Sequence, residues 1–352
     1  MIKNDCIDRD FNGKTVLVTG ATGLIGNVLT KKLLEQGAAV YAVGRRMSKL
    51  SEVFKDYADN DQLFLCESDV SDELPCKEVY FDYIFHAAGP ISGRLIKEKP
   101  ADMVKVNVSG VENCLKRLLY QKEKLQKNEP QKKASGGRLI VFSSATVYGD
   151  SEGELIGVSE EDGCSLCNPA SVAAVYPETK RMVEVLAGAY ARQYGLDVCI
   201  ARIAYVYGYS PVMPDTAFYE FVRRILNNED IKINATVMNR RDNIYVEDAV
   251  SGILTVALRG ESKEAYNVSL SGENGNCASA SEIAECMAEC AREAGHYNKK
   301  VLFGEQGCSS LDGIMLKNDK LKALGWNPET GLKAGIKKTL EYYFAYGTEK
   351  TI

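Results

Sequence analysis

TGATGLIG, at Thr19 to Gly26, is the stretch that decides the fold of this 352-residue chain. It follows the short β-branched run KTVLV and precedes GNVLTKKLLEQG, which has helical periodicity. In that setting Gly20 permits a tight turn, Gly23 lets the backbone approach a pyrophosphate, and Gly26 allows close helix packing. An anion would lie on the helix N-terminus, so the stretch predicts a dinucleotide-binding turn rather than a turn without a ligand. The residues expected to line it are Gly20, Thr22, Gly23, Leu24, Ile25 and Gly26.

Short β-branched runs and longer amphipathic stretches alternate around this turn. The strand-like runs include AAVYAVG, FDYIFHAAG, GRLIVFSS and DVCIARI. That alternation predicts βαβ units, and therefore an α/β fold with a doubly wound parallel (Rossmann) sheet and helices on both faces. Beyond about residue 205 the pattern is less regular, with helical patterns at 215–227 and 279–294. We expect this part to form a smaller C-terminal cap that binds the substrate.

Two domains are expected from the change of pattern. The dinucleotide-binding Rossmann domain is assigned to residues 10–205 plus about 243–260. The substrate-binding domain is assigned to about 206–242 plus 261–352.

The composition excludes several classes of protein. The chain has 45% apolar residues and a formal net charge of −5, whereas a nucleic-acid-binding protein normally presents a basic face. No apolar run is long enough to cross a bilayer, and the start MIKNDCIDRDFNGK lacks the hydrophobic segment of a signal peptide. We therefore expect a cytoplasmic protein with a small, mildly acidic partner and with no nucleic-acid or membrane partner.

The cysteines do not predict a metal site. The eleven cysteines are expected to be thiols in a cytoplasmic protein. Cys164 and Cys167 have half of a zinc-ribbon spacing, but the second half is missing and the chain has only two histidines. Cys286 and Cys290 lie four residues apart in a helical pattern and are expected to be buried or half-buried thiols.

The end of the second predicted strand bears on the choice of cofactor. An NAD site usually has an acidic residue there, about 20 positions after the glycines, to bind the ribose hydroxyls. This chain has Gly44, Arg45 and Arg46 instead. A charged hydrogen bond from Arg45 or Arg46 to a 2′-phosphate is worth about 1.5 to 3 kcal/mol. NADP(H) is therefore favoured over NAD(H), the alternative being that both arginines are only solvated.

The pattern Y-x-x-x-K occurs three times, at Tyr120, Tyr176 and Tyr346. Tyr120 lies in a lysine-rich helix tail and Tyr346 lies near the C-terminus. Tyr176 follows the strand GRLIVFSS, whose carboxyl end carries Ser144, and ligands of a doubly wound sheet lie beyond the carboxyl ends of its strands. Only the pair Tyr176 and Lys180 is therefore expected to lie near Ser144.

The chain resembles the extended short-chain dehydrogenase/reductases, and within them the nucleotide-sugar epimerases and dehydratases, over nearly its whole length. The motifs that carry the resemblance are TGATGLIG, Ser68-Asp69-Val70, HAAG at 86–89, NVSG at 107–110, SSATVYG at 143–149, YPETK at 176–180, RIAYVYG at 202–208, RDNIYVED at 241–248 and LGWNP at 324–328.

The resemblance implies a role for individual residues. Ser144 would hydrogen-bond the reacting sugar hydroxyl or carbonyl, Tyr176 would be the general acid/base, and Lys180 would hold the nicotinamide ribose and stabilise tyrosinate. Arg241 resembles the arginine that binds the substrate diphosphate. The other residues implied in cofactor binding are Asp69 and Val70, at the adenine, and Ala87, Ala88, Gly89 and Asn107.

The assigned chemistry requires a lowered tyrosine pKa. An ordinary tyrosine has a pKa of about 10, so a base at neutral pH needs a shift of about 3 units, or about 4 kcal/mol. A lysine one helical turn away and an oxidised nicotinamide would both supply positive charge of the needed sign.

Three positions depart from the family pattern. Pro177 replaces a small or polar residue, which requires the helix to start at or just before Tyr176. Thr146 stands where dehydratases and decarboxylases of this group usually carry an acidic residue, so elimination of water is disfavoured. Tyr205 stands where the family commonly has an asparagine that contacts the sugar nucleotide, so the substrate contacts there are expected to differ.

Several functions remain open at this point. The leading interpretation is a 4-epimerase-type reaction on a nucleoside-diphosphate sugar, because SSATVYG is most like the 4-epimerases. The arginines favour an NADPH-dependent keto-sugar reductase instead. A reductase of a non-sugar carbonyl and a cofactor-binding sensor without catalysis are further alternatives. The family resemblance also implies a homodimer through helices that flank the sheet.

Overall fold

A computed structural model describes residues 10–89, 93–128, 136–149, 155–163, 168–233, 240–304 and 313–347 of the chain. The strands are β1 (Thr15–Thr19), β2 (Ala39–Gly44), β3 (Leu63–Glu67), β4 (Tyr83–His86), β5 (Arg138–Ser144), β6 (Leu155–Val158), β7 (Asp197–Ile203), β8 (Tyr205–Tyr207), β9 (Ile231–Ile233), β10 (Arg240–Tyr245), β11 (Ala265–Val268), β12 (Cys277–Ala278), β13 (Val301–Phe303) and β14 (Gly313–Leu316). The helices are α1 (Leu24–Glu35), α2 (Met47–Val53), α3 (Gly93–Glu98), α4 (Pro100–Asn128), α5 (Val175–Tyr194), α6 (Ala217–Leu226), α7 (Val246–Arg259), α8 (Ala280–Glu293), α9 (Asp319–Ala323) and α10 (Leu332–Tyr346).

The main sheet confirms the predicted fold class. Its seven strands lie in the order β11-β7-β5-β4-β1-β2-β3, and every neighbouring pair is parallel. The chain winds outward from β1 in both directions, so the sheet has a switch point between β1 and β4. Ligands of such sheets bind beyond the carboxyl ends of the strands at the switch point. The glycine-rich turn follows β1 at that place.

Side chains of the main sheet alternate between two buried layers. On β1, Val16 and Val18 belong to the core that includes Leu33 of α1 and Ile253 of α7. Leu17, between them, belongs to the core that includes residues of α4 and α5. This period of two, with helices on both faces, explains why the strand reads as a continuous apolar run.

A second, smaller sheet builds the cap. Its strands lie in the order β12-β10-β14-β6, with β8 paired to β10, and β13 pairs with β9 in a separate two-stranded sheet. The helices predicted at 215–227 and 279–294 are present as α6 and α8. A capping box of Ser279 and Glu282 fixes the start of α8, because each side chain accepts a hydrogen bond from the backbone N–H of the other residue.

The predicted domain division stays a prediction, but two strand pairs cross it. Strand β11 falls in the part assigned to the substrate domain, yet it pairs with β7 at the edge of the main sheet. Strand β6 falls in the part assigned to the Rossmann domain, yet it pairs with β14 of the cap sheet. The chain therefore passes between the two sheets more often than the sequence pattern indicates.

Neither a membrane-spanning helix nor a metal-binding cluster occurs among the residues that the structure describes. Within the residues described here, no helix is long and apolar enough to span a bilayer. No group of three or more His, Cys, Asp or Glu side chains could hold a metal ion in the same residues. Cys164 and Cys167 lie outside the described residues.

Candidate active site

The glycine-rich turn forms a backbone cradle between β1 and α1. Gly20 has a φ of +66°, and a Cβ at this residue would lie 2.8 Å from the Ala88 backbone. A Cβ on Gly26 would overlap the carbonyl oxygen of Gly20. Both positions therefore exclude any larger residue, as the tight turn and close helix packing require.

The N-terminus of α1 is open to an anion. Gly23 occupies the N-cap and makes no side-chain capping bond, and the first turn carries no acidic residue. Thr22, Leu24 and Ile25 are partly exposed beside it. The free backbone N–H groups and the positive end of the helix dipole suit a pyrophosphate, so the residues present fit a dinucleotide.

Gly89 borders the same cleft from the end of β4. A Cβ at Gly89 would lie 2.9 Å from Asn107 Oδ1 and 3.3 Å from Lys180 Nζ, so the space above Gly89 is shared by these two groups. Asn107 donates through Nδ2 to the carbonyl of Met103 at 3.0 Å. Its Oδ1 is buried and accepts no hydrogen bond from the described residues. An acceptor is thus left for a ligand beside the lysine.

Ala87 and Ala88, just after β4, pack against the glycine-rich turn at Gly20. The Ala88 N–H donates to Thr19 Oγ1 at 3.3 Å, and that oxygen also hydrogen-bonds His86 Nδ1 at 2.9 Å. Burial, with the charge of Lys180, lowers the pKa of His86 to about 3. The imidazole is therefore neutral, and its hydrogen bond to Thr19 holds the end of β4 against β1.

The structure brings Ser144, Tyr176 and Lys180 together at the carboxyl end of β5. Ser144 is the last residue of that strand, and its hydroxyl hydrogen-bonds the Tyr176 hydroxyl. Lys180 Nζ lies 5.7 Å from the centroid of the Tyr176 ring and donates to the carbonyl of Phe142 at 2.8 Å. Helix α5 begins at Val175, so Pro177 falls in its first turn, where proline is tolerated.

The pKa shifts of this pair oppose the direction that catalysis needs. Burial raises the pKa of Tyr176 to about 12, and the hydrogen bond from Ser144 offsets only part of this. Burial lowers the pKa of Lys180 to about 8, with the Glu184 carboxylate acting in the opposite sense. A tyrosinate at neutral pH therefore requires a further positive charge in the cleft, and an oxidised nicotinamide would supply one.

Glu184 is a member of this site that the sequence reasoning did not identify. Its carboxylate accepts two hydrogen bonds from Arg202 of β7, at 2.9 Å from Nη2 and 3.1 Å from Nε. The same carboxylate also accepts a hydrogen bond from the Ser143 hydroxyl. The two charged side chains are each 13% exposed. Glu184 thus links α5 to β5 and β7. In the sequence, the feature that points to Glu184 is its spacing of four residues from Lys180, which puts both side chains on one face of the helix.

Strand β2 leads into a cluster of positive charges. Arg45 and Arg46 are exposed directly beyond β2. Burial lowers the pKa of Lys49, and the nearby charges of Arg46 and Arg45 lower it further. One carboxylate lies close by, because Glu67 at the end of β3 accepts the Met47 N–H at 2.7 Å. Neither Lys49 nor Glu67 was identified from the sequence.

Asp69 and Val70 lie just after β3. Two hydrogen bonds from Ser71 lower the pKa of Asp69, and the charge of Arg45 adds to this. Val70 is buried, and a Cβ on Gly110 would lie 3.1 Å from its Cγ2. The Asn113 amide donates to the Val70 carbonyl at 2.9 Å and fixes this turn against α4.

On the cap side, the structure brings Arg241 and Tyr205 together. Strand β8 pairs with β10 so that Tyr205 lies opposite Asn243, and the guanidinium carbon of Arg241 lies 5.6 Å from the Tyr205 ring centroid. Arg241 is exposed and Tyr205 is partly exposed. Just after β5, Thr146 Oγ1 is buried and has no hydrogen-bond partner among the described residues.

Comparison with known proteins agrees with this geometry. Residues 16–269 match the NAD dependent epimerase/dehydratase family. The UDP-glucuronic acid decarboxylase 1 of Xenopus tropicalis is 28% identical over 340 residues, which cover 94% of this chain and 72% of that protein. The probable dTDP-glucose 4,6-dehydratase of Sinorhizobium fredii is 26% identical over 349 residues, 94% of this chain and 93% of that protein.

A solved structure shows the same fold. The UDP-glucose 4-epimerase of Thermotoga maritima, determined with UDP-glucose, superposes with a TM-score of 0.75 at 24% identity. The match covers 94% of this chain and 99% of that one.

Proposed function

Because this chain belongs to the NAD dependent epimerase/dehydratase family, as an enzyme of the extended short-chain dehydrogenase/reductase type, we propose that it moves hydride at a hydroxyl carbon of a nucleoside-diphosphate sugar. The reaction we favour is of the 4-epimerase type. The resemblance seen in the sequence is confirmed at the level of the family. The observation that carries the proposal is the contact of Ser144, Tyr176 and Lys180 at the edge of the dinucleotide cradle.

The described side chains have separate parts in this chemistry. The backbone cradle at Gly20 to Gly26, with Lys180, would hold a nicotinamide dinucleotide, whose chemistry would be reversible hydride transfer. Tyr176 would take the proton of the reacting hydroxyl through its phenolic oxygen and give it back, while Ser144 holds the sugar oxygen in reach. Lys180, beside Asn107 Oδ1 and above Gly89, would bind the ribose of the cofactor and favour tyrosinate by its charge. Arg241 would bind the diphosphate with its planar fork.

Thr146 supports epimerisation over elimination and decarboxylation. Its hydroxyl is buried without a partner among the described residues, at the place where the family resemblance implies an acidic residue in dehydratases and decarboxylases. A hydroxyl can bind a sugar oxygen, but its pKa is too high for it to remove a proton from carbon at neutral pH. Epimerisation needs no second base, because the hydride leaves and returns at one carbon.

Product analysis in heavy water tests the reaction type. The protein is incubated with UDP-, dTDP-, GDP- and CDP-sugars and with NAD⁺ or NADP⁺ in D₂O. We expect an epimer of the starting sugar that carries no solvent deuterium at the inverted carbon, because the hydride returns from the cofactor. A 4-keto-6-deoxy product that contains deuterium, or release of CO₂, would contradict the 4-epimerase proposal.

A keto-sugar reductase is the second candidate, and the cluster of Arg45, Arg46 and Lys49 favours it. This cluster supports NADP(H) as the preferred cofactor, whereas relatives such as the UDP-glucuronic acid 4-epimerase of Bacillus cereus were solved in complex with NAD. An exchangeable NADPH suits a reductase better than an epimerase that recycles its cofactor. In a separate assay with NADPH and a nucleoside-diphosphate keto-sugar, consumption of one NADPH for each keto-sugar reduced would support this candidate.

Cofactor preference gives a quantitative prediction. We expect NADP(H) to bind about 10- to 100-fold more tightly than NAD(H), because one charged hydrogen bond to the 2′-phosphate is worth about 1.5 to 3 kcal/mol. The double variant Arg45→Ala/Arg46→Ala should lose this preference in calorimetric titrations while NAD(H) affinity changes little. Lys55→Ala, which removes an exposed cation just after α2, is the control. Stoichiometric NAD released from the purified protein would refute the preference.

Proton release tests the role of Tyr176. With a pKa raised to about 12, the free tyrosine is protonated at pH 8. Positive charge on an oxidised nicotinamide lowers that pKa, so binding should release a proton, on the order of half a proton per site if the bound pKa is about 8. We expect release with oxidised but not reduced cofactor in weakly buffered solution. The part lost in Tyr176→Phe belongs to the tyrosine, and an unchanged release in that variant would contradict the assignment.

A further inference from the structure

Two thiols lie close together, one before and one after the turn that carries Asp69 and Val70. Cys66 lies in β3 and Cys76 lies ten residues later, and their Sγ atoms are 3.7 Å apart. Both thiols are free and each residue is partly exposed. The proposed function uses neither of them.

The segment between the two cysteines is held at both ends. Asn113 of α4 donates to the carbonyls of Val70 and Asp72, at 2.9 and 2.7 Å. One turn further along α4, Arg117 donates to the carbonyls of Cys76 and Val79. Cys66 is paired in register with Val43 of β2. The backbones that carry the two sulfur atoms are thus fixed within reach of each other.

Cys76 also has an unusual backbone conformation. Its φ is +59°, a value that few residues other than glycine adopt. Strained conformations of this kind persist where the surrounding structure imposes them, and here the Arg117 side chain binds the Cys76 carbonyl. The strain is a second sign, independent of the sulfur distance, that this position is constrained.

We propose that Cys66 and Cys76 form a reversible disulfide under oxidising conditions and that this bond weakens cofactor binding at the adenine end. A disulfide requires the sulfur atoms to approach from 3.7 Å to about 2.05 Å. The segment that joins the two cysteines contains Asp69 and Val70, so closing this distance strains that turn and the two hydrogen bonds that it accepts from Asn113. The effect on the cofactor rests on the proposed function, since it assumes that Asp69 and Val70 contact adenine, whereas the disulfide itself does not.

The oxidation balances with a peroxide as the oxidant. One thiol is oxidised to a sulfenic acid as the peroxide O–O bond breaks and one water leaves. The second sulfur then attacks the first, the S–O bond breaks, and the hydroxyl group leaves as a second water with the second thiol's proton. Two thiols and one hydrogen peroxide thus give one disulfide and two waters. Burial and the neighbouring sulfur raise the pKa of the Cys66 thiol, so the reaction is expected to be slow.

The test combines disulfide mapping with cofactor titration. Full-length protein is treated with hydrogen peroxide or oxidised glutathione, digested without reduction, and analysed by mass spectrometry. We expect a peptide pair linked through Cys66 and Cys76 that dithiothreitol separates. The Kd for the dinucleotide should rise about threefold or more on oxidation and recover on reduction.

Single cysteine variants make each outcome decisive. Cys66→Ser and Cys76→Ser should bind cofactor with unchanged affinity under oxidant, whereas Cys286→Ser, on the distant helix α8, should respond like the wild type. Absence of the linked peptide in the wild type would overturn the proposed bond. A linked peptide with unchanged affinity would overturn its effect on the cofactor. If the reduced wild type binds no dinucleotide at all, the failure belongs to the proposed function instead.

Discussion

Turnover should fall by about 10²- to 10⁴-fold in Tyr176→Phe, because the variant removes the only atom of this side chain that can exchange a proton with the reacting hydroxyl. The ring remains to fill the same space beside Lys180 and Ser144. The Kd for the dinucleotide should therefore stay within about threefold of the wild-type value. Steady-state rates and cofactor titrations, measured on the same preparations, separate the two effects.

Tyr120 provides the matched control within the chain. It has the same spacing from Lys124 as Tyr176 has from Lys180, and the Lys124 Nζ lies 5.8 Å from its ring centroid. It lies on α4, where its ring is close to Lys77 and Lys124, so Tyr120→Phe should retain wild-type turnover. A Tyr176→Phe enzyme that turns over as fast as Tyr120→Phe would remove Tyr176 from the mechanism.

The free energy of unfolding should fall by about 3 to 5 kcal/mol in Glu184→Gln. The substitution leaves the Arg202 guanidinium, 13% exposed, without the carboxylate that accepts two of its hydrogen bonds. An uncompensated buried charge is costly because its lost hydration is no longer offset by a partner. Urea unfolding at neutral pH measures the change.

Two further variants show whether the loss comes from the buried charge. The double variant Glu184→Gln/Arg202→Met removes both charges and should recover most of the stability. Glu178→Gln, on the same helix, breaks a more exposed pair with Arg181 and should cost less than about 1 kcal/mol. Equal losses for Glu178→Gln and Glu184→Gln would contradict the argument.

The sequence was sufficient to predict the main sheet and its cradle. TGATGLIG combines a turn that only glycine can make at Gly20 with a strand before it and a helix after it, so local chemistry determined the structure there. The start of α5 followed in the same way from Pro177, which is tolerated only near a helix N-terminus. In both places the relevant constraint lies within a few residues.

Features that depend on distant segments were not predicted. The Glu184 and Arg202 pair joins α5 to β7, and neither residue indicates its partner in the sequence. The pKa of Tyr176 is raised rather than lowered, because burial by the surrounding fold outweighs the hydrogen bond from Ser144. Glu67 reaches the backbone of Met47, next to Arg46, only because β3 lies beside β2. Each of these requires the three-dimensional arrangement.

The strand pairs that cross the expected domain division have a consequence for how this enzyme could be taken apart. A cut after residue 205 would leave β7 without its neighbour β11 and β14 without its neighbour β6. Each fragment would then present a newly exposed strand edge, which favours association with other chains. The parts before and after residue 205 are therefore not interchangeable modules, and chimaeras that exchange one part between relatives need to exchange β6 and β11 with the sheets to which they pair.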